Sequence, residues 1–434
     1  MKIAIVGSGV AGLGAAWALE GLHDIVLYEA DDRLGGHANT VTIDYEGASI
    51  DVDTGFIVYN EENYPNLRGL MGALDVETRL TDMSFACAGD GVEWSSNFPR
   101  GVFAQKRNLL RPDFLGMLND IRRFYAVARS DLLRGDMEDL TLTAWLRLRR
   151  FGGGFRDRFL LPMGAAIWST TEGGIGDFPA ESFLRFLQNH GLLQFKPPQW
   201  RTIVGGSRRY VRKIGEALGD SVRLGARVVE VRRTDAGVII RDSRGHEDLF
   251  DQVILACHAP ETLGILSDVD PEERALLSAI RYSPNRAFLH RDPALMPSRE
   301  SAWGSWNYVT NSDGKTAPYV TYWMNNLQGL DPSRPLFVSL NAPEPEPALT
   351  FGAFDYEHPQ FDTAALAAQR RFGRIQGRGG VWYAGAWLGY GFHEDGITSG
   401  VKAALALGGH VPWAFVDHRV AALSGTEPQR AAAA

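Results

Sequence analysis

Cysteine is almost absent. The 434 residues hold two, Cys87 and Cys257, in no CxxC pair and with no histidine cluster beside them. That argues against a zinc site or a disulfide scaffold and fits a reducing compartment, so no metal is expected. Positive charge is in deficit. Lys and Arg number 44 against 52 Asp and Glu, a net charge of −8, which disfavours nucleic-acid partners. No apolar run reaches the roughly 18 residues that a membrane-spanning helix needs. Internal repeats are lacking, and the one biased stretch, Pro343-Glu344-Pro345-Glu346-Pro347, reads as a loop. The chain opens directly on an apolar strand, so no signal peptide is expected and a cytoplasmic location follows. Residues 419–434 read as a flexible tail.

What is present is bulk and aromatic surface. The length exceeds the size at which one core usually stops growing, which predicts two domains. Trp numbers 11 and Phe 22, enough for a large core or a wide apolar cavity. Lys2–Val6 reads as a strand, residues 11–22 as a helix, and Asp24–Tyr28 as a second strand ending on Glu29. This is a βαβ opening. From about Glu61 to Leu193 the pattern turns helical. Phe114, Leu118, Ile121 and Tyr125 mark one helix face, and a further helix is expected from Pro179 to about Leu193. Residues 222–224, 228–231, 237–240 and 252–256 read as strands, as do 319–323, 336–339 and 381–384. A last helix is expected from near Gly396 to about Leu407.

Gly7, Gly9 and Gly12 spell G-x-G-x-x-G between the first strand and the helix. The first glycine permits a tight turn, the second a close approach to a pyrophosphate, and the third close helix–strand packing. Free N–H groups of Val10 and Ala11 at the helix start suit phosphate. Glu29, with Ala30 after it, suits ribose hydroxyls and disfavours a 2′-phosphate.

Asp31-Asp32-Arg33-Leu34-Gly35-Gly36-His37 resembles the R-x-G-G segment of the flavin amine oxidase family. Asp53-Thr54-Gly55-Phe56 resembles the D-x-G stretch that follows it there. Gly205-Gly206-Ser207, Val228-Val229 and Leu255-Ala256-Cys257 are similar to the family's middle segments. Tyr383-Ala384-Gly385-Ala386-Trp387 and Gly391–Gly400 resemble its closing flavin motif. The resemblance implies FAD, held in a Rossmann-type, glutathione-reductase-like domain of an α/β fold, with a discontinuous α+β substrate domain. The expected boundaries are 1–60, 200–262 and 376–418 for the FAD domain, and 61–199 and 263–375 for the other. It places Arg33, Gly35, Gly36, His37, Thr54, Gly55, Phe56 and Cys257 along the cofactor. Val228 and Val229 would meet the adenine through backbone groups. Gly385, Ala386, Asp395, Gly396 and Ile397 would lie at the closing helix, the last two facing the flavin C2 oxygen. Glu394 and Asp395 are also read as caps of that helix, which for Asp395 is the preferred reading.

The sequence departs from monoamine oxidases in ending R-x-G-G on His37 and in placing His393 where a cage tyrosine is expected. Lys315 is the nearest guess for a flavin-facing lysine. R-L-G-G-H with G-F-H-E-D-G resembles a bacterial subgroup associated with cyclopropane-fatty-acid-synthase-like methyltransferases. This implies a lipid or fatty acyl substrate, oxidised or desaturated by hydride transfer. The alternatives are oxidation of small amines or polyamines, and a flavin-bound partner of a lipid methyltransferase without turnover of its own. His393, Glu394 and His37 are the acid–base candidates. His37 is also read as bonded to phosphate or backbone, or as a covalent flavin attachment point. Tyr322, Trp323, Tyr356 and His358 are candidates for the substrate cavity, the last two in what otherwise reads as a surface turn. Basic residues mixed with apolar ones (Arg100, Lys106, Arg107 and Arg111, then Arg147, Arg149, Arg150, Arg156 and Arg158) suit either peripheral contact with an anionic membrane or a solvated helix face.

Overall fold

The computed structural model describes residues 1–417, apart from 136, 138–139, 169–171, 190, 194–197 and 311–316. Lys315 and the tail therefore lie outside the described residues. Five parallel strands form the first sheet, in the order Val222–Arg223, Asp24–Tyr28, Lys2–Val6, Gln252–Leu255 and Val381–Tyr383. Its strands are apolar on both faces because both faces are covered. Ile3, Ile5 and Leu27 pack into one buried cluster, while Ala4, Val6 and Tyr28 pack into another. The α/β class and this nucleotide-type sheet match expectation.

The first helix, Val10–Leu19, leaves the sheet and is buried almost all round. The closing helix, His393–Ala406, lies across it. Small residues make that crossing close. A Cβ on Gly400 would stand 1.9 Å from the Ala11 carbonyl oxygen, and one on Gly396 would stand 2.5 Å from a Val10 methyl. The closing helix opens three residues earlier than expected because Asp395 caps it. Its Oδ2 accepts from the N–H groups of Tyr390 and Phe392, both at 3.0 Å.

The stretch expected to be helical from Glu61 holds three strands, Thr78–Thr81, Phe85–Gly89 and Val92–Ser95. Thr78–Thr81 and Val58–Asn60 pair with the two edges of Trp200–Ile203 and so tie together the two ends of the helical insert. Within the insert, Pro112–Arg134 turns Phe114 fully inward, with Leu118, Ile121 and Tyr125 half-buried beside it. Asp131 on that helix is buried and accepts from Trp145 Nε1 at 2.8 Å and Arg149 Nε at 2.6 Å.

A seven-stranded sheet completes the fold. Its order is Thr350–Gln360, Arg281–His290, Phe337–Leu340, Tyr319–Trp323, Trp306–Val309, Phe85–Gly89 and Val92–Ser95. All neighbours are antiparallel except Trp306–Val309 and Phe85–Gly89. The segment around Tyr356 and His358 is thus an 11-residue strand and not a surface turn. Two residues apart, these side chains share one face of it. Among the described residues, no helix is long and apolar enough to cross a membrane.

Candidate functional site

Three chain segments meet at the carboxyl ends of the parallel strands, where ligands of open α/β sheets bind. The first is the glycine turn. Gly7 has φ +97°, and a Cβ there would meet the Ala256 carbonyl at 3.0 Å. A Cβ on Gly12 would stand 1.9 Å from the Gly7 carbonyl oxygen. Gly9 is different, because its Cβ would meet no protein atom within 4 Å. It faces open space at the start of the first helix, which has no side-chain cap and no acidic residue in its first turn. Uncapped N–H groups with space in front of them make an anion site.

The second segment is the loop after Glu29. Glu29 Oε2 accepts from the Ser8 N–H at 2.9 Å and the Ser8 hydroxyl at 2.5 Å, and Oε1 accepts from the Asp31 N–H at 2.9 Å. Its carboxylate is fixed beside the glycine turn, with Ala30 exposed next to it. Gly35 and Gly36 take φ +112° and +54°, and a Cβ on Gly36 would stand 3.2 Å from Gly9 Cα. The two glycine loops therefore lie against each other. Among the described residues the Arg33 guanidinium bonds only its own loop, donating to the Gly36 carbonyl at 3.1 Å and the Leu34 carbonyl at 3.5 Å. The third segment, Val228–Thr234, bulges so that its ladder steps over Val229. Val228 is buried and Val229 exposed, and the ladder leaves Val229 backbone groups out of its register.

A cluster of imidazoles adjoins these loops. His37 stands 5.0 Å from the Tyr356 ring, 5.4 Å from His358 and 6.1 Å from His258. Its backbone is locked, since a Cβ on Gly55 would stand 2.2 Å from the His37 carbonyl oxygen, which accepts from the Phe56 N–H at 2.8 Å. Asn39 donates to both Thr54 Oγ1 and Tyr356 Oη at 3.0 Å, and these two oxygens are 2.8 Å apart. His258 stacks on Tyr282 at 4.4 Å, with Nδ1 3.5 Å from Glu357. Burial, then the charge of the neighbouring histidines, holds His37 well below the usual imidazole range. Burial brings His358 down to about 4. His37 Nε2 is buried with no hydrogen-bond partner. An orphaned polar atom of this kind calls for a missing group. A metal does not fit, because no set of three ligating side chains comes together among the described residues.

The other acid–base candidates have different work. The His393 ring stacks on Phe56 at 3.7 Å, and its Nε2 lies 3.0 Å from Tyr210 Oη. Burial pushes it down to about 3, far from the working range of a general base. Glu394 is not placed for catalysis. Its two oxygens accept from the N–H groups of Asn66 and Leu67 at 2.9 Å and so cap the helix Pro65–Ala73. Gly396 is displaced from its expected role, because its N–H donates to the Phe392 carbonyl at 3.0 Å inside the helix. Ile397 is buried against Gly14. The Gly385 N–H is taken by Ser399 Oγ at 2.8 Å, and Ala386 starts a short 3-10 turn. Cys257 lies beside the Gly7 turn, its thiol pushed up to about 12 by burial. Tyr322 and Trp323 point to opposite sides of their strand. Tyr322 meets Trp306 edge-on at 5.6 Å, whereas Trp323 packs on Trp303 on the far face. Trp323 therefore lies on the opposite face of the sheet from Tyr322.

Residues 10–292 match the family described as flavin containing amine oxidoreductase. The chain belongs to that family. It is an FAD-dependent, amine oxidase-like oxidoreductase. A putrescine oxidase bound to putrescine has the same fold at 17% identity, with 94% of this chain and 99% of that one aligned and a TM-score of 0.65. The cyclohexylamine oxidase of Brevibacterium oxydans aligns at 18% identity over 94% of this chain and 98% of its own, with a TM-score of 0.66. A CLA-producing fatty acid isomerase from P. acnes aligns at 15% identity over 93% and 98%, with a TM-score of 0.61. At these identities the likeness is one of fold. An L-amino-acid oxidase of Demansia vestigiata is 45% identical over 47 residues, which are 11% of this chain and 9% of that protein.

The residues present fit FAD. The uncapped turn at Gly9 and the unpaired Arg33 suit its phosphates, Glu29 a ribose, and the bulge at Val229 an adenine. His37 Nε2 is free to donate to it or accept from it. In this flavoprotein, sequence reasoning missed His258, Tyr210 and Tyr282. His258 follows the carboxyl end of a parallel strand, a position that itself signals a site. Tyr210 and Tyr282 carry no local signal.

Proposed function

We propose that this FAD-dependent oxidoreductase oxidises or desaturates a fatty acyl chain. The observation behind the reading is an apolar seam with no acid to spare. Phe392 packs into both the nucleotide-side cluster and the helical cluster. It stacks on Phe186 at 5.2 Å, Tyr390 meets Phe186 edge-on at 5.6 Å, and Tyr322 with Trp306 extends the same cluster. The described residues include six buried carboxylates, and all have internal partners. Asp53 has Thr40 and Ser207, Asp131 has Arg149, and Asp242 has His246. Glu273 has Tyr383, Asp292 the Ala294 N–H, and Glu394 the helix it caps. An alkylammonium entering the seam would find none of these buried carboxylates unpaired, whereas a hydrocarbon chain would meet mainly aromatic ring faces.

Bound FAD supplies a two-electron acceptor for the C–H bond that breaks. The aromatic seam excludes water and orients the chain. The proton released with formation of the double bond falls to His258, the imidazole of the cluster that reaches solvent and lies 3.5 Å from Glu357. Amine oxidation is the second reading, supported by the fold shared with putrescine and cyclohexylamine oxidases and by the aromatic faces, which can hold a cationic amine. Mass spectrometry of the products separates the two. Incubation with a fatty acid and phospholipid panel should yield acyl chains short of two hydrogens. Aldehyde from an amine panel, with every lipid unchanged, would overturn the acyl reading.

A further inference from the structure

We propose that the segment from Phe98 to Leu115 docks the protein on an anionic lipid bilayer. It runs from the turn after the strand Val92–Ser95, through the 3-10 helix Lys106–Leu110, into the first turn of Pro112–Arg134. Within it Phe98 is 78% exposed, Leu110 86%, Leu109 49% and Leu115 45%. Other exposed apolar side chains, Leu133 and Leu148 among them, are scattered singly along the chain, whereas four fall within this one short stretch.

The segment is held in place. Val102, Asn108 and Phe114 are its buried anchors. Arg107 and Arg111 both donate to the Gly91 carbonyl, at 2.5 and 3.4 Å, which pins the 3-10 helix to the neighbouring hairpin. The apolar tips are thus presented by a fixed scaffold.

Charge selects the occupant. Arg100, Lys106 and Arg107 are exposed and Arg111 half-exposed, interleaved with the apolar tips. None of the four is in an ion pair among the described residues. The nearby acids are mostly taken, Asp113 by Arg158 and Glu93 by Arg299. Asp90 at the hairpin tip is left against four cations. On a chain of net charge −8 this is a local reversal of sign. Protruding apolar side chains within a basic rim fit the boundary between acyl chains and anionic headgroups. The anchors Val102 and Phe114 belong to the same apolar cluster that reaches Tyr322, Tyr390 and Phe392. A docked molecule would therefore turn toward the bilayer the side of the fold that backs onto the seam. The docking surface stands on its own residues, and only its use in delivering an acyl chain rests on the proposed substrate.

The test is flotation of the yellow holoenzyme with vesicles of phosphatidylcholine and phosphatidylglycerol in a roughly two-to-one ratio, beside phosphatidylcholine alone. The expected result is binding to the anionic vesicles, at least about tenfold weaker on the neutral ones and reversed by salt. Phe98→Asp with Leu110→Asp should abolish binding while flavin content and melting temperature hold, since both side chains are exposed. Arg100→Glu with Lys106→Glu should do the same. Equal binding to neutral vesicles, no binding to either, or unchanged binding by these variants would overturn the proposal. Vesicle binding without any lipid oxidation would keep the docking surface and remove the acyl substrate. Oxidation of micellar fatty acid without vesicle binding would do the reverse.

Discussion

Gly9 and Gly12 stand three residues apart, yet opposite things hold them to glycine. A side chain at Gly12 collides with the Gly7 carbonyl, while one at Gly9 meets no protein atom at all. Gly9→Val should therefore fold with a near-native melting temperature and lose its flavin, and Gly12→Val should misfold. A yellow Gly9→Val protein would remove this turn from the cofactor site. Glu394→Gln should cost about 1–2 kcal/mol, read as a lowered melting temperature, because a charged acceptor for two helix N–H groups is weakened. Its rate of flavin reduction should stay near wild type, and a large kinetic loss without destabilisation would return Glu394 to the mechanism. The histidines set the pH dependence of the flavin-free protein. Burial lowers His37, brings His358 and His290 to about 4 and His393 to about 3. The unfolded chain binds these protons first, near 6.5, so stability is full above that pH and falls as acid is added, until the folded-state values are passed. Asp53, raised to about 6 by burial, works the other way, since its contribution is lost as pH rises through 6. Four groups outweigh one, and at about 1.4 kcal/mol per pH unit per group the net loss amounts to several kcal/mol. The melting temperature should drop clearly between pH 7.5 and 5, and a flat profile would contradict the burial of the cluster. At this scale the tight glycine turn was legible because turn geometry restricts residue type. His258 and the helix-capping bonds of Glu394 were not, because His37 and Glu357 lie about a hundred or more residues from His258, and Asn66 and Leu67 more than three hundred from Glu394.

Elements were legible where their periodicity was clean. The opening strand, first helix and second strand follow from an unbroken apolar run, a glycine turn and a second run. The strands Phe85–Gly89 and Val92–Ser95 escaped because Phe85, Ala86, Cys87 and Ala88 are buried on both faces and show no alternation. The strand Thr350–Gln360 was hidden by its polar residues and by Pro359, which an edge strand tolerates. The closing helix was placed too late because Gly396 looked like its opening, whereas Asp395 caps it from inside the first turn. What Gly396 and Gly400 do instead is let two helices touch. Gly400→Ala should force the closing helix off Ala11, lowering stability by about 1–3 kcal/mol and reducing flavin occupancy. A variant with unchanged melting temperature and full flavin would show that the crossing has slack.

The whole molecule draws its parallel sheet from the first thirty residues, from 222–255 and from 381–383, so the cofactor loops converge only when distant stretches pair. The alternation of nucleotide-type and other segments made that interruption visible in sequence. The aromatic seam proposed to take the substrate was not visible, because it is created where Phe392 and Phe186 meet across the fold, and no motif encodes that contact. Whether the reducing substrate is the proposed lipid acyl chain is decided by anaerobic titration of the purified yellow protein. Absorbance of the oxidised flavin is followed with lipid in one cuvette and an amine panel in another. Bleaching by lipid and not by amines is the predicted result, whereas bleaching by amines alone would overturn the acyl substrate and make this family member an amine oxidase.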